Sequence, residues 1–185
     1  MEIKKIVTLI SIISLTVLLS LCVYHISESA DMEVSYEKPE IKKDTNMGAE
    51  LPFINYESEH QLIFSHPLGI FIYDLDNSKM LRAMKPYDSK LHIGAQGDTS
   101  AVVQVNHENQ IITIHELGYQ ELDYYYKYNI SKDKLYKCPI GKLDMNIKKP
   151  EVTGQMDTND WSAWDLIYTS KLTGKKYYPF RDIAK

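Results

Sequence analysis

From residue 60 onward, apolar residues in this chain recur at every second position and not at the three- to four-residue spacing of a helix. Period-two patterning places alternate side chains on opposite faces of an extended strand, and the runs are rich in β-branched and aromatic residues. Asp, Asn, Ser, Gly and Pro separate the runs, as is typical of hairpin connections. The pattern predicts antiparallel strands at QLIFSH, GIFIYD, KMLRAM, SAVVQV, QIITIH, YYYKYN, KLYKC, LIYTS and KKYYPF.

Turns and two weaker elements complete this prediction. Hairpin turns are expected at residues 76–78, 106–109, 132–133 and 173–174, because Asn, Asp, Ser and Gly tolerate the left-handed backbone of a tight reversal. A short strand is expected at 51–56. The segment GQMDTNDWSAWDL predicts one helical turn, capped by Asp157 or Thr158.

Two segments of the chain resemble each other. GIFIYDLDNSKML (69–81) and YYYKYNISKDKLY (124–136) align without gaps at a constant offset of 55 residues, which puts Phe71 on Tyr126. A weaker third echo, YTSKLTGKKYYPF, aligns with one residue fewer. Strand-turn-strand units of this kind build β-propeller blades, although any two hairpins with similar turns align in part by chance.

The length of the β region limits the architecture. A closed propeller needs at least about four blades of roughly 40 residues, and the region from residue 60 onward provides only two or three. The fold class predicted is therefore mainly β: an N-terminal membrane helix followed by an antiparallel, β-propeller-blade-like sheet or a small sandwich of about seven to nine strands.

Residues 1–26 predict a membrane anchor or signal segment. Lys4 and Lys5 precede the uncharged run 6–24, which as a helix would reach roughly 28 Å, about the thickness of the bilayer hydrocarbon. This length favours an uncleaved single-pass anchor with the rest of the chain outside. Two alternatives stay open. Cys22 could be lipidated, although Leu21 stands where such motifs carry a small residue, or the protein could be secreted after cleavage near Ser29.

The remainder divides into a linker and a domain. Residues 27–59 are rich in Glu, Lys, Asp and Ser and poor in long apolar runs, which predicts a flexible charged linker. Residues 60–185 are predicted to form the extracytoplasmic β domain.

Charge and cysteine content narrow the functions. Removing Glu2, Lys4 and Lys5 from the totals of 21 basic and 25 acidic residues leaves 19 and 24, a net charge of −5 outside the predicted anchor. Basic residues form no cluster larger than pairs, so no nucleic-acid partner is expected. Cys138 is the single cysteine beyond the anchor, which excludes an intramolecular disulfide in the domain.

No catalytic, metal or cofactor motif stands out. The six histidines include no pair at the helical spacing of a zinc site, although His60, His66 and His115 could meet across hairpins. Ser131 and Lys134 have the SxxK spacing of penicillin-recognising enzymes, but both lie in a predicted turn and not at the start of a helix. We therefore predict no catalytic residues, no metal and no cofactor.

A family resemblance follows from the order of three phrases. HQLIFSHPLGIFIYDLDNSKMLR, IGAQGDTSAVVQVNHENQIITIH and YYYKYNISKDKLYK together resemble the blade-like exterior C-terminal domain of Firmicutes membrane proteins related to the M56 peptidases of the BlaR1/MecR1 type. The resemblance covers residues 60–137, with a further match in KKYYPFRD. Relatives carry cysteines near the QGD element, where this chain has Ala95 and Ser100. The chain lacks the HExxH of the peptidase part, so the resemblance implies a free-standing exterior sensing or binding module.

The aromatic residues are the candidate ligand contacts. The chain has fourteen tyrosines and four phenylalanines, and a strand through Tyr124, Tyr125 and Tyr126 must point rings to both faces, leaving one exposed. With Trp161 and Trp164, such rings could stack on sugar or peptide. The alternative is cross-strand packing within a twisted sheet.

These observations predict a non-catalytic extracytoplasmic binding or sensory module tethered to the bacterial membrane, with a cell-wall or protein partner. One alternative is a cell-wall-directed hydrolase that uses an acidic pair such as Asp157 and Asp160. The other alternative is a structural surface spacer.

Overall fold

The computed structural model describes residues 14–16, 30–48, 50–94, 100–116, 122–144 and 151–184, and it is mainly β with antiparallel sheets. In chain order the strands are β1 (Met32–Val34), β2 (Tyr36–Glu37), β3 (Phe53–Glu57), β4 (Gln61–His66), β5 (Gly69–Asp74), β6 (Lys79–Pro86), β7 (His92–Ile93), β8 (Ser100–Asn106), β9 (Ile111–Glu116), β10 (Tyr124–Asn129), β11 (Lys134–Pro139), β12 (Gln155–Asp157), β13 (Ile167–Thr169) and β14 (Lys176–Tyr177). Short 3-10 helices span Ile140–Lys142 and Ala163–Asp165.

All nine strands predicted from the alternating pattern are present, and the four predicted turns connect hairpins. The strand expected at 51–56 is β3. The predicted helical turn is wrong in its position, because β12 occupies residues 155–157 and the 3-10 helix begins later, with Ser162 as its cap. The pattern missed β1, β2, β7 and β12, whose two or three residues do not lie in a longer apolar or aromatic run as those of β13 and β14 do.

The strands form three sheets. A five-stranded sheet has the order β2-β6-β5-β4-β3, a six-stranded sheet has the order β1-β11-β10-β9-β8-β7, and a three-stranded sheet has the order β12-β13-β14. Within the first two sheets, β3 to β6 and β8 to β11 are four-stranded antiparallel meanders.

The five-stranded sheet is the middle layer. Nearly every residue of β4 and β5 is buried, because both faces of these two strands are covered. Side chains on one face, including Phe64 and Phe71, join a core with Tyr168 and Phe180 of the C-terminal part. Side chains on the other face join a second core with the six-stranded sheet, through Ile63, Ile70, Ile72, Met84, Ile112, Ile114, Tyr126 and Tyr128.

The four hairpins share one turn. In each, a side-chain oxygen accepts a hydrogen bond from the backbone N–H of the residue three positions later. The residue four positions after the acceptor has a left-handed backbone. The acceptors are Asp74, Asn106, Asn129 and Ser170, and the left-handed residues are Ser78 (φ 51°), Gln110 (φ 54°), Asp133 (φ 55°) and Gly174 (φ 72°).

The 55-residue offset predicted from the sequence is thus also an offset of backbone conformation. β5 and β10 have equal lengths, and Ser78 and Asp133 occupy equivalent left-handed positions. The third echo is not one residue shorter, because Ser170 and Gly174 have the same separation as Asp74 and Ser78.

Residues 31–39, which we call the strap, hold the two large sheets together. Within the strap, β1 pairs with β11 of the six-stranded sheet, and β2 pairs with β6 of the five-stranded sheet. Further along, Ile41 and Met47 are buried in the core. The prediction of a flexible linker over 27–59 is therefore wrong for residues 31–57. Very short strands and isolated apolar anchors leave no periodic signal in a charged segment.

The N-terminal predictions lie almost entirely outside the described residues. Of residues 1–29 the structure describes only 14–16, which are helical. Among the described residues, none belongs to a helix of the length and apolar character needed to span a bilayer. The predicted anchor, the lipidation of Cys22 and the cleavage near Ser29 stay predictions.

Candidate functional site

The side chains of Tyr124, Tyr125 and Tyr126 pack within the fold and are not exposed to solvent as a binding surface. Tyr125 and Tyr126 are buried, and Tyr124 is half-buried. The hydroxyls of Tyr124 and Tyr126 both donate to Oδ2 of Asp88, over 2.7 and 3.0 Å, and the ammonium of Lys137 lies 3.5 Å from the centre of the Tyr124 ring. The expectation of one exposed ring in this triplet is therefore wrong, because a loop carboxylate and a neighbouring lysine cover the Tyr124 side.

Trp161 is the exposed aromatic residue of the C-terminal part. Its side chain lies in the loop between β12 and the second 3-10 helix and is 42% exposed. Its backbone has φ 62°, in the left-handed region that bulky residues rarely adopt. Such a conformation costs about 1–2 kcal/mol in a non-glycine residue, so the fold holds this ring in place at an energetic cost.

Hydrogen bonds on both sides of Trp161 fix this backbone. Its N–H donates to Oγ1 of Thr158 over 3.2 Å, and its carbonyl accepts the N–H of Met47 over 2.8 Å. The next N–H, of Ser162, donates to Oδ1 of Asp160 over 2.8 Å. An isolated β-bridge between Asn46 and Ser162 adds to these contacts. The loop that displays the indole is therefore held rigidly against residues 45–47.

Trp164 has a different role. The ammonium of Lys43 lies 4.5 Å from the centre of its ring, and the guanidinium carbon of Arg181 lies 5.5 Å from that centre. Arg181 also lies 3.6 Å from the centre of the Tyr178 ring, and its Nε donates to the Trp164 carbonyl over 3.2 Å. Trp164 is thus engaged within the fold. No ring or cation of the described residues is placed over Trp161.

The two acidic residues of the hydrolase alternative, Asp157 and Asp160, accept backbone hydrogen bonds within the loop that carries Trp161. Oδ1 of Asp157 accepts the N–H of Thr158, and Oδ1 of Asp160 accepts that of Ser162. Hydrogen bonds from Ser162 hold the pKa of Asp160 below its usual value. A general acid at neutral pH needs a raised pKa, so the direction of the shift at Asp160 is unfavourable for that role.

The three histidines considered for a metal site have separate surroundings. His60 is exposed and pairs with Asp76 over 3.0 Å, whereas His66 and His115 are buried. Within the described ranges, no three His, Cys, Asp or Glu side chains are grouped as metal ligands.

His66 is held as a neutral imidazole. Its Nε2 donates to the Met47 carbonyl over 2.9 Å, and its Nδ1 accepts the N–H of Leu68 over 3.3 Å. Burial lowers the pKa of His66, against the opposing effects of the Met47 and Glu50 carbonyls and the Glu50 carboxylate; the charge of Lys85 also lowers it. Protonation of Nδ1 would place its new N–H against the backbone N–H of Leu68 and break the hydrogen bond between them.

Acid should therefore weaken the fold through His66. The folded-state pKa is depressed, so the stability due to this group is complete above about pH 6.5 and is lost as pH falls through the folded pKa, by at most about 1.4 kcal/mol per pH unit. Urea unfolding at pH 7 and pH 5 should show a smaller loss in His66→Gln than in the natural chain.

His60 provides a control of opposite sign. Its pKa is raised by Asp76, so its contribution is complete at low pH and is lost as pH rises through its folded pKa. His60→Gln should therefore leave the acid-induced loss in place. An equal loss in His66→Gln and the natural chain would contradict the role given to His66.

A cleft of about 230 Å³ opens where the strap meets β6. In this cleft, Oδ1 of Asp133 accepts hydrogen bonds from the hydroxyls of both Tyr36 and Tyr128. Its Oδ2 lies 3.5 Å from Nε of Arg82. The lining residues are Tyr36, Lys38, Pro39, Met80, Leu81, Arg82, Ala83, Asp133 and Ile183.

The surroundings of Asp133 favour the charged form of its carboxylate. Burial raises the pKa of Asp133, but the two phenol hydroxyls and the charges of Arg82 and Lys38 outweigh that effect, so the pKa lies below its usual value. No local sequence pattern indicates this cleft, because its residues come from four separate segments of the chain.

Comparisons with known proteins add no relative. No family model, no curated protein and no solved structure matches this chain. The resemblance to the exterior domain of M56-related membrane proteins stays a prediction.

Proposed function

We propose that this protein is a non-catalytic binding or sensory module, held at the outer face of a bacterial membrane by its N-terminal segment, with the Trp161 loop as its contact surface. One observation carries the proposal: an exposed indole on a left-handed backbone, fixed from both sides. Glycine would meet the demand of that backbone at no steric cost. The retention of a large ring there favours a role in contact with another molecule.

The fold proposal that accompanies this function is a membrane helix followed by blade-like sheets. Two features support it. The uncharged run 6–24 has the length of a bilayer span. The meanders β3 to β6 and β8 to β11 each have four antiparallel strands, which is the composition of a propeller blade, and they share the turn that recurs at 55 residues.

Trp161→Gly should weaken binding strongly while leaving the fold about as stable as in the natural chain. We expect at least a tenfold loss in binding of the full chain, in non-ionic detergent, to insoluble peptidoglycan, equivalent to about 1.4 kcal/mol. The free energy of unfolding should stay within about 1 kcal/mol of the natural value, because relief of the left-handed backbone offsets the lost packing and the greater entropy of an unfolded glycine. Sedimentation of bound protein and urea unfolding measure the two effects.

Trp161→Ala serves as the matched control, because it removes the same ring while keeping the backbone cost. It should bind as weakly as Trp161→Gly and be less stable. Binding of Trp161→Gly at the natural level would exclude the indole as the contact. The hydrolase alternative predicts instead that Asp157→Asn with Asp160→Asn stops release of soluble wall fragments while leaving binding intact; the module proposal predicts no such release by the natural chain.

A further inference from the structure

The cleft beside the strap contains cationic side chains whose hydrogen-bond donors are not all used within the fold. Its walls come from the strap, from residues 80–83 of β6, from the turn residue Asp133 and from Ile183 near the end of the described chain. The cleft therefore lies on the seam between a two-residue edge strand and the middle sheet.

Arg82 has spare donor capacity in this cleft. Its Nη1 donates to the Leu81 carbonyl over 2.8 Å, and its Nε lies 3.5 Å from Oδ2 of Asp133, with 44% of the side chain exposed. A guanidinium carries five N–H donors in a planar fork that matches a carboxylate or phosphate. Most of that fork is unused by the described residues.

Lys38 supplies a second cation at the same place. It is exposed, lines the cleft, and its charge acts on the Asp133 carboxylate. Within the described part of the chain, no ion pair or hydrogen bond engages its ammonium. Oδ1 of the Asp133 carboxylate already accepts two phenol hydroxyls, which leaves Oδ2 to face the cations. Among the lining residues, two cations stand against one carboxylate, an excess of positive charge on a chain whose net charge is −4. The carboxylate of Asp182, beside the lining, accepts the N–H of Met80 over 2.6 Å.

The rest of the lining is apolar. Pro39, Met80 and Ile183 contribute hydrocarbon, and the Leu81 side chain is 40% exposed. At about 230 Å³ the cleft is smaller than the roughly 300–1,000 Å³ of pockets for drug-sized ligands. It therefore fits a small head group with a short hydrocarbon portion and not a whole oligosaccharide or peptide.

We propose that this cleft binds a small oxyanion, a carboxylate or a phosphate monoester, that carries a short apolar group, and that its binding fastens the strap to β6. Arg82 and Lys38 contact the anion from opposite sides of the seam, and the apolar residues contact the hydrocarbon. A ligand that binds only when the strap is in place stabilises that arrangement by linkage. The site is separate from the Trp161 loop and does not rest on the function proposed for that loop.

The test uses the full chain in non-ionic detergent with four probes: butyl phosphate, butyrate, inorganic phosphate and butanol. Isothermal titration calorimetry should show saturable binding of butyl phosphate or butyrate, weaker binding of inorganic phosphate, and none of butanol. The phosphate and carboxylate arms identify which anion is preferred. Hydrogen exchange should show slower exchange of the Tyr36 and Glu37 amides with the preferred probe present, since β2 is the strand being fastened.

Variants separate the cleft from general charge effects. Arg82→Gln should weaken binding about tenfold or more, because it removes charge-assisted hydrogen bonds to the anion, and Lys38→Gln should weaken it less. Lys79→Gln is the matched control, since it removes one positive charge from the same strand outside the cleft lining. It should bind as the natural chain does. Arg82→Lys keeps the charge and should recover only part of the affinity.

Three results would overturn the proposal. One is the absence of saturable binding of either anion at probe concentrations up to 10 mM. A dissociation constant of 10 mM corresponds to a binding free energy of only about 2.7 kcal/mol. Another is equal weakening by Arg82→Gln and Lys79→Gln, which would place the effect in the overall field. The third is binding of butanol as tight as that of butyl phosphate, which would leave no role for the cations. Trp161→Gly should give the same result as the natural chain with each of the four probes, so failure here is distinct from failure of the peptidoglycan experiment.

Discussion

Replacing Phe180 with alanine should lower the free energy of unfolding by about 3–5 kcal/mol, the usual cost of emptying a fully buried phenylalanine site. Phe180 is completely buried, and its ring centre lies 4.8 Å from that of Phe71 and 5.7 Å from that of Phe64. With Leu166 and Tyr168, it is among the residues through which the C-terminal part covers one face of the middle sheet. Equilibrium unfolding in urea measures the loss.

Phe53→Ala is the matched control for this prediction. Phe53 begins the edge strand β3 and is 47% exposed, so the same truncation should cost less than about 1 kcal/mol. A small effect at Phe180 would mean that residues 151–184 are not part of the common core. Comparable effects at the two positions would contradict the layered arrangement of the sheets.

Asp133→Ala should lower the free energy of unfolding by about 2–4 kcal/mol. The substitution removes the acceptor of two phenol hydroxyls at once, and an unsatisfied buried hydroxyl costs roughly 1–3 kcal/mol. Tyr128 is fully buried, whereas Tyr36 is part-exposed and recovers a bond to water. The loss also frees Arg82 from its acidic neighbour. Thermal and urea unfolding should both report it.

Ser78→Ala is the control that the repeat provides. Ser78 has the same left-handed backbone at the equivalent position, and its neutral hydroxyl is hydrogen-bonded to one tyrosine, Tyr73, where Asp133 serves two. The backbone cost is therefore equal, and the expected loss is smaller, about 1–2 kcal/mol. The pH dependence gives a second measurement. The folded pKa of Asp133 is depressed, so its contribution is present above the unfolded pKa and is lost as pH falls through the folded pKa. Asp133→Ala should therefore lose less stability below pH 4 than the natural chain does.

The sequence predicted the strands and turns well, because both have local causes. β4 and β5 were found from runs of β-branched and aromatic residues, and the hairpin turns were found from Asn, Asp, Ser and Gly. The stacking of three sheets was not predicted. It depends on which face of β5 meets Phe180 and which meets the six-stranded sheet, and no local pattern encodes that choice.

The candidate contacts were only partly predictable. Tyr124 and Trp161 looked alike in the sequence, as aromatic residues beside polar ones. Their difference comes from distant partners, since Asp88 and Lys137 cover the tyrosine whereas Trp161 stays exposed. The cleft was beyond prediction for the same reason: Tyr36, Arg82 and Asp133 meet only after two sheets have joined.

The order in which the three sheets are synthesised has a consequence for the nascent chain. After β1, the strands of the middle sheet are made first, the other strands of the six-stranded sheet follow and cover one face, and most of the residues that cover the other face come last. At ribosomal rates of about 5–20 residues per second, Phe64 and Phe71 remain uncovered for seconds after their strands have paired. A ribosome stalled before residue 180 would therefore display an adhesive apolar surface. That interval is when chaperones or proteases have access to this protein.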